Sequence, residues 1–199
     1  MAKKVFVIYY SMYGHILKMA ESVKEGLEEA GVEAEIYQVD ETLPEEVLGK
    51  MGAPPKADYP VIDPQMLTDA DGFMFGIPTR FGMMAGQMKS FFDRTGQHWM
   101  QQSLAGKPAG IFVSTAQQGG GQETTALTTI TQLTHHGMVF VPLGYQVPET
   151  MNNDGIRGGG PWGAGTLAGG DGSRQPTEVE LSMAKKQGEL FGKFVNRLA

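Results

Sequence analysis

The chain contains no cysteine. That excludes a disulfide framework, thiolate metal sites and a thiol nucleophile, and it fits a reducing compartment. No stretch approaches the ~18–20 apolar residues of a membrane span. The start, Met1-Ala2-Lys3-Lys4, resembles the basic head of a signal peptide, but the apolar run behind it is short and polar residues 11–15 interrupt it. Lysine and arginine number 16 against 22 acidic residues, a formal net charge of −6, and no basic block occurs. Nucleic-acid binding, which rests on neutralising phosphates, is therefore not expected. Neither a His-Glu-x-x-His pattern nor a carboxylate cluster offers a metal site. The expectation is a cytoplasmic protein with no transmembrane segment. At 199 residues and 41% apolar content the chain can bury one good core, so residues 1–199 are expected to form one domain.

What is present begins with a strand, Val5-Phe6-Val7-Ile8-Tyr9-Tyr10, that runs into Ser11-Met12-Tyr13-Gly14-His15. Behind it Ile16, Ala20, Val23 and Leu27 recur at helical spacing, and Gly31 stops the run. A buried strand thus turns through hydroxyl and glycine residues into a helix N-terminus, where free backbone N–H groups and the helix dipole attract a phosphate. The loop lacks the lysine of a nucleotide-hydrolysing P-loop and lacks a Gly-x-Gly-x-x-Gly turn. A phosphate held by hydroxyls and amides alone points to a flavin mononucleotide rather than to ATP or NAD. On Ser11 alone, an ordinary capped turn explains the loop equally well.

The remaining pattern alternates. Residues 33–39 read as a second strand, partly polar and so near an edge. Residues 41–64 carry Pro44, Pro54, Pro55, Pro60 and Pro64, an irregular excursion with at most a short helix. Residues 72–77 form a short buried strand. A helix follows over about 85–94, with Met88, Phe91 and Phe92 inward and Gly96 as its stop. Residues 108–114 are the fourth strand, 121–136 a helix ended by Gly137, and 138–143 the fifth strand. The last helix opens on the Thr177-Glu178-Val179-Glu180 capping box and runs through Leu198. Strands alternating with helices predict an α/β protein with a doubly wound, mostly parallel sheet, whose ligand sits beyond the carboxyl ends of the strands.

Three strand-end loops are therefore the candidate site: residues 11–16, 78–82 and 114–121. In the second, Thr79 offers a hydroxyl, Arg80 a fixed cation that favours a reduced, anionic flavin, and Phe81 an aromatic face. Read singly, Arg80 is as well a solvated charge and Phe81 a core residue. In the third, the hydroxyls of Ser114 and Thr115 lead into Gly119-Gly120-Gly121, where bare backbone can approach a ring or a phosphate, unless the loop is merely flexible.

Other features carry less. Gly158-Gly159-Gly160-Pro161-Trp162-Gly163 matches the dinucleotide fingerprint in letters, but no strand precedes it and Pro161 opposes the turn. It belongs to a glycine-rich insertion over about 150–175, which can rim a site, contact another subunit or be passive. His135 and His136 end a helix, where a cation suits the dipole. The methionine-rich stretch 83–100 reads as adaptable core packing.

Four separated motifs resemble one family: Tyr9-Tyr10-Ser11-Met12-Tyr13-Gly14-His15, Pro78-Thr79-Arg80-Phe81-Gly82, His135-His136-Gly137-Met138 and Ala168-Gly169-Gly170-Asp171-Gly172-Ser173-Arg174-Gln175-Pro176. They occur in order and span the chain. Together they resemble the tryptophan-repressor-binding protein family, the WrbA-type NAD(P)H:quinone oxidoreductases, with the prolines at 54–64 closer to its eukaryotic branch. The resemblance implies a flavodoxin-like fold, a five-stranded parallel sheet in the order 2-1-3-4-5 with helices on both faces. It implies noncovalent FMN, its phosphate on Ser11, Met12, Tyr13, Gly14, His15 and Ile16. The ring would lie among Pro78, Thr79, Arg80 and Phe81, then Ser114, Thr115, Ala116, Gln117, Gln118 and Gly119, with His135 reaching it. Tyr13 would also touch the nicotinamide nucleotide and Trp99 would wall the substrate slot. The implied reaction is two-electron, ping-pong reduction of quinones by NADH or NADPH through flavin N5, in a homotetramer (a dimer of dimers), with a role in oxidative stress. No residue of the protein would act as nucleophile.

One departure stands out. The family's third loop usually reads Ser-Thr-Gly-Thr, whereas here Ala116 and Gln117 occupy its last two places. Alanine costs affinity if that position needs a positive φ. Two other functions remain open at this point: a one-electron carrier of flavodoxin type, and a binding or regulatory protein with weakened FMN affinity.

Overall fold

A computed structural model describes residues 2–151 and 153–198 of the chain. Its sheet has β1 (Lys4–Tyr9) as an interior strand, buried from Val5 to Tyr9 because both faces are covered. On one side β1 pairs in parallel with β2 (Glu33–Gln38), on the other with β3 (Gly72–Arg80). Beyond β3 lies β5 (Pro108–Thr115), fully buried along its length. The mixed burial of β2 follows from its edge place.

The fifth position of the sheet differs from expectation. The strand anticipated over 138–143 is only β6 (Val139–Phe140), pairing with Pro108 and Ala109 at the start of β5. The other half is β7 (Gly165–Leu167), contributed by the glycine-rich insertion and parallel to Val113, Ser114 and Thr115. Five sheet positions in the expected order are thus filled, the last by two short pieces. A further two-residue strand, β4 (Met83–Met84), folds back antiparallel on the end of β3.

Helices cover both faces. α1 (His15–Glu29) and α6 (Glu178–Val195) pack on one, around Ile16, Met19, Val23, Met183 and Phe191. α3 (Gly86–Asp93) and α5 (Gln122–His135) close the other, around Met88, Phe91, Phe92 and Leu133. The proline-rich excursion holds one short helix, α2 (Glu45–Lys50), as its composition allowed, and ends in a six-residue 3-10 segment at Pro64–Asp69. Gly96 does not end a helix. Arg94 and Thr95 turn the chain, and Gly96 opens α4 (Gly96–Gln101). The capping box at Thr177 is present, both of its hydrogen bonds made, and the helix it starts stops at Val195, short of Leu198.

Candidate functional site

Beyond the carboxyl ends of β1, β3 and β5 the three loops converge on one cleft of about 450 Å³, within the range of small-ligand sites. Ser11, Met12, Tyr13, His15 and Ile16 line it from the first loop, Pro78, Thr79 and Arg80 from the second, Ser114, Thr115 and Ala116 from the third.

The first loop is shaped by its own side chain. Ser11 Oγ accepts the Gly14 N–H at 3.0 Å. Gly14 itself takes φ 87°, the left-handed region, so the chain can drop at once into α1. No side chain caps α1, so the N–H groups of its first turn stay free for a ligand at the cleft. His15 is 6% exposed, and its Nε2–H donates to the Arg174 carbonyl at 2.8 Å. The Tyr13 hydroxyl donates to Met51 O and the Lys56 ammonium to Ser11 O, so the excursion braces this loop from outside.

The brace has a charged anchor. Glu41 accepts hydrogen bonds from Tyr10 Oη, Lys56 Nζ and Gln87 Nε2 at 2.9, 2.8 and 2.7 Å. Burial alone would raise its carboxyl, but the bonds from Lys56, Gln87, the Leu43 N–H and Tyr10 outweigh that and bring it down to about 2. Burial, followed by the bond to Glu41, pushes the Tyr10 hydroxyl above its ordinary range.

The second loop is a tight hairpin. Phe81 and Gly82 both have positive φ, 54° and 78°, between paired Arg80 and Met83. Thr79 Oγ1 accepts from Gly82 N and from Thr125 Oγ1, tying the turn to α5. The Phe81 ring is wholly exposed, so of the two readings the core one is excluded. In the third loop Ala116 does not adopt a positive φ, so alanine meets no backbone penalty there. Gln117 accepts the Thr115 hydroxyl through its carbonyl, while Gln118 and Gly119 open onto a second hollow beside Arg157.

Of the expected residues, Gly14, Phe81, Gln117, Gln118 and Gly119 do not line this cleft, and two more lie on other elements. Trp99 stands on α4, largely exposed, and His135 ends α5 with its Nδ1–H on Thr131 O at 2.6 Å. Neither lines the cleft of this single protomer. Its neighbour His136 is buried and bonded to Thr95 Oγ1 at 2.8 Å, and burial lowers its imidazole below the ordinary value.

Sequence reasoning missed a fourth wall. Residues 168–172, directly after β7, complete the cleft. The signal was the run Gly169-Gly170-Asp171-Gly172, but without a strand before it nothing placed it at a sheet end. Arg174 N closes this loop on Ala168 O at 2.9 Å.

A parallel sheet with a free helix N-terminus beyond its first strand and a cleft at the carboxyl ends defines a flavodoxin-like α/β protein. The fold is similar to that of a WrbA-like flavodoxin from Agrobacterium tumefaciens, with a TM-score of 0.68, 24% identity and complete coverage of both chains. Residues 4–150 match the model of the NADPH-dependent FMN reductases, and the chain belongs to that family. It is similar to the quinone-oxidoreductase QR2 of Triphysaria versicolor, 62% identical over 94% of this chain and 93% of that one. It is also 51% identical to the NAD(P)H quinone oxidoreductase PST2 of Candida albicans, over 98% and 96% of the two chains. Among the described residues no helix is long and apolar enough to cross a membrane.

Proposed function

We propose that this chain is an FMN-dependent quinone reductase, moving two electrons at a time from NADH or NADPH to a quinone. The carrying observation is the cleft itself, which joins an uncapped helix N-terminus to a wall made by Pro78, Thr79, Arg80 and Ala116. The names of the Triphysaria and Candida relatives support the reading. When bound, FMN supplies the electron relay. The chain's part is to hold and tune. Residues 11–16 take the phosphate on backbone N–H groups and hydroxyls. Residues 78–81 and 114–119 hold the ring, and the Arg80 guanidinium favours its reduced, anionic form. Tyr13, half-exposed at the mouth, faces the incoming nicotinamide.

Trp99 and His135, outside the cleft of their own chain, would complete a neighbour's site in a homotetramer. The exposed Phe81, Met83, Trp99 and Met100 support such an assembly. The whole of residues 1–199 would act as one cytoplasmic domain. The test is NADH and NADPH oxidation by the purified protein with 1,4-benzoquinone, with and without added FMN. Quinone-dependent turnover that saturates with FMN is the expected result. No turnover at saturating FMN sinks the assignment and leaves a carrier or a flavin-fold binding protein. A monomer in sedimentation with FMN bound removes the shared-site part alone.

A further inference from the structure

Glu180 is fully buried, an expensive place for a carboxylate. A capping box needs from it only the Thr177 N–H, at 2.8 Å. Here it also accepts Gly158 N at 2.8 Å, Thr166 Oγ1 at 2.9 Å and both terminal nitrogens of Arg174 at 3.0 Å each. Burial would raise its carboxyl, but these bonds, Arg174's first, hold it below the ordinary range. Arg174 in turn donates to Leu167 O and Ile156 O, and its N–H closes the rim loop. Its carbonyl receives His15 Nε2–H. A bidentate pair therefore fixes one main-chain oxygen, and that oxygen fixes the His15 ring.

The other ring nitrogen, Nδ1, has no partner among the described residues, and His15 lines the cleft at the first turn of α1. With Nε2–H committed to a carbonyl, Nδ1 is a bare lone pair in the neutral ring and a donor in the cation. A phosphate dianion at this helix end favours the donor. We propose that Glu180 and Arg174 are positioning residues for the cofactor phosphate, acting through His15, which takes a proton from solvent onto Nδ1 as the phosphate binds. The proposal rests on the FMN reading above. The imidazolium then has both N–H groups satisfied, one by Arg174 O and one by a phosphate oxygen. Of the charged groups near the loop, Arg80 and Asp171 line the same cleft, Lys56 donates to Ser11 O, Arg174 pairs with Glu180 behind the rim loop, and Lys18 of the same helix is bonded to Gln175. The phosphate loop, which has no lysine of its own, thereby gains one cation.

The test is calorimetric titration of the flavin-free protein with FMN at about pH 7.5, where an imidazole is ordinarily neutral and the phosphate mostly dianionic. Running it in two buffers of different ionisation enthalpy counts the protons taken up. The native chain should take up protons, to a limit of one per FMN. His15→Gln should abolish the uptake and weaken FMN roughly tenfold or more, the usual scale for a charge-assisted bond. Glu180→Gln keeps a capping side chain but not the ion pair. It should reduce the uptake and weaken FMN while leaving riboflavin, which has no phosphate, bound as before. FMN binding without proton uptake overturns the proposal and spares the cofactor reading. Equal loss of FMN and riboflavin in both variants reduces the network to a structural one and overturns it too. A native chain that binds no FMN overturns both readings. If Glu180→Gln does not fold, His15→Gln alone still decides.

Discussion

Phe81 keeps a left-handed backbone in a two-residue turn that favours asparagine followed by glycine, and its ring is wholly exposed. A left-handed non-glycine residue costs roughly 1–2 kcal/mol, so the aromatic is kept at the expense of local stability. Phe81→Asn should therefore raise stability by about 1 kcal/mol in urea denaturation. The same change should raise KM for quinone, read in steady-state kinetics. Unchanged KM would detach Phe81 from the site. At this scale the sequence was partly legible. Ser11, Gly14, Thr79 and Arg80 could be placed because each follows an apolar run that could only be a strand. The exposure of Phe81 could not, because the same letter serves a core. That Ala116 carries no backbone penalty was equally hidden, since its φ depends on how residues 114–121 close on the rim loop, and there Ala116 O accepts Gly169 N.

Helices α1 and α6 meet through glycine on both sides. A Cβ on Gly26 would lie 1.8 Å from Lys185 O, and one on Gly188 would lie 2.1 Å from Val23 O. Backbone cannot yield as a side-chain tip does, so Gly188→Ala must push the helices apart, at a cost of about 1–3 kcal/mol. Because α1 carries the free N–H groups of the cleft, FMN binding should weaken along with the denaturation midpoint. A loss of stability with unchanged FMN affinity would show that the first turn is set by its loop instead. The elements that were easiest to read, β1, β3, β5 and α1, are those with continuous apolar or 3.6-period patterns. β6 and β7 have two and three residues, too few for any period, and pairing with β5 alone makes them strands. The second short helix, α4, starts at a glycine that pattern reading takes for a stop.

Over the whole molecule, acid acts through the carboxylates that pin loops to the sheet. Glu41 titrates near 2 in the folded chain against an ordinary 4.5, so its contribution is complete above about 4.5 and lost as pH falls through about 2. Melting temperature should drop across that window, and Glu41→Gln should lower it at neutral pH while flattening the acid slope. A variant with the native slope would mean that other carboxylates govern acid unfolding. The split fifth position has a consequence in the order of synthesis. Until residue 167 has left the ribosome, the edge of β5 at Val113, Ser114 and Thr115 has no strand beside it. An unpaired edge invites pairing with another chain. The nascent protein thus carries an unpaired strand edge at the mouth of its own cleft, and the segment that covers it leads into the fourth wall. The cleft itself is complete only once residue 172 has been added.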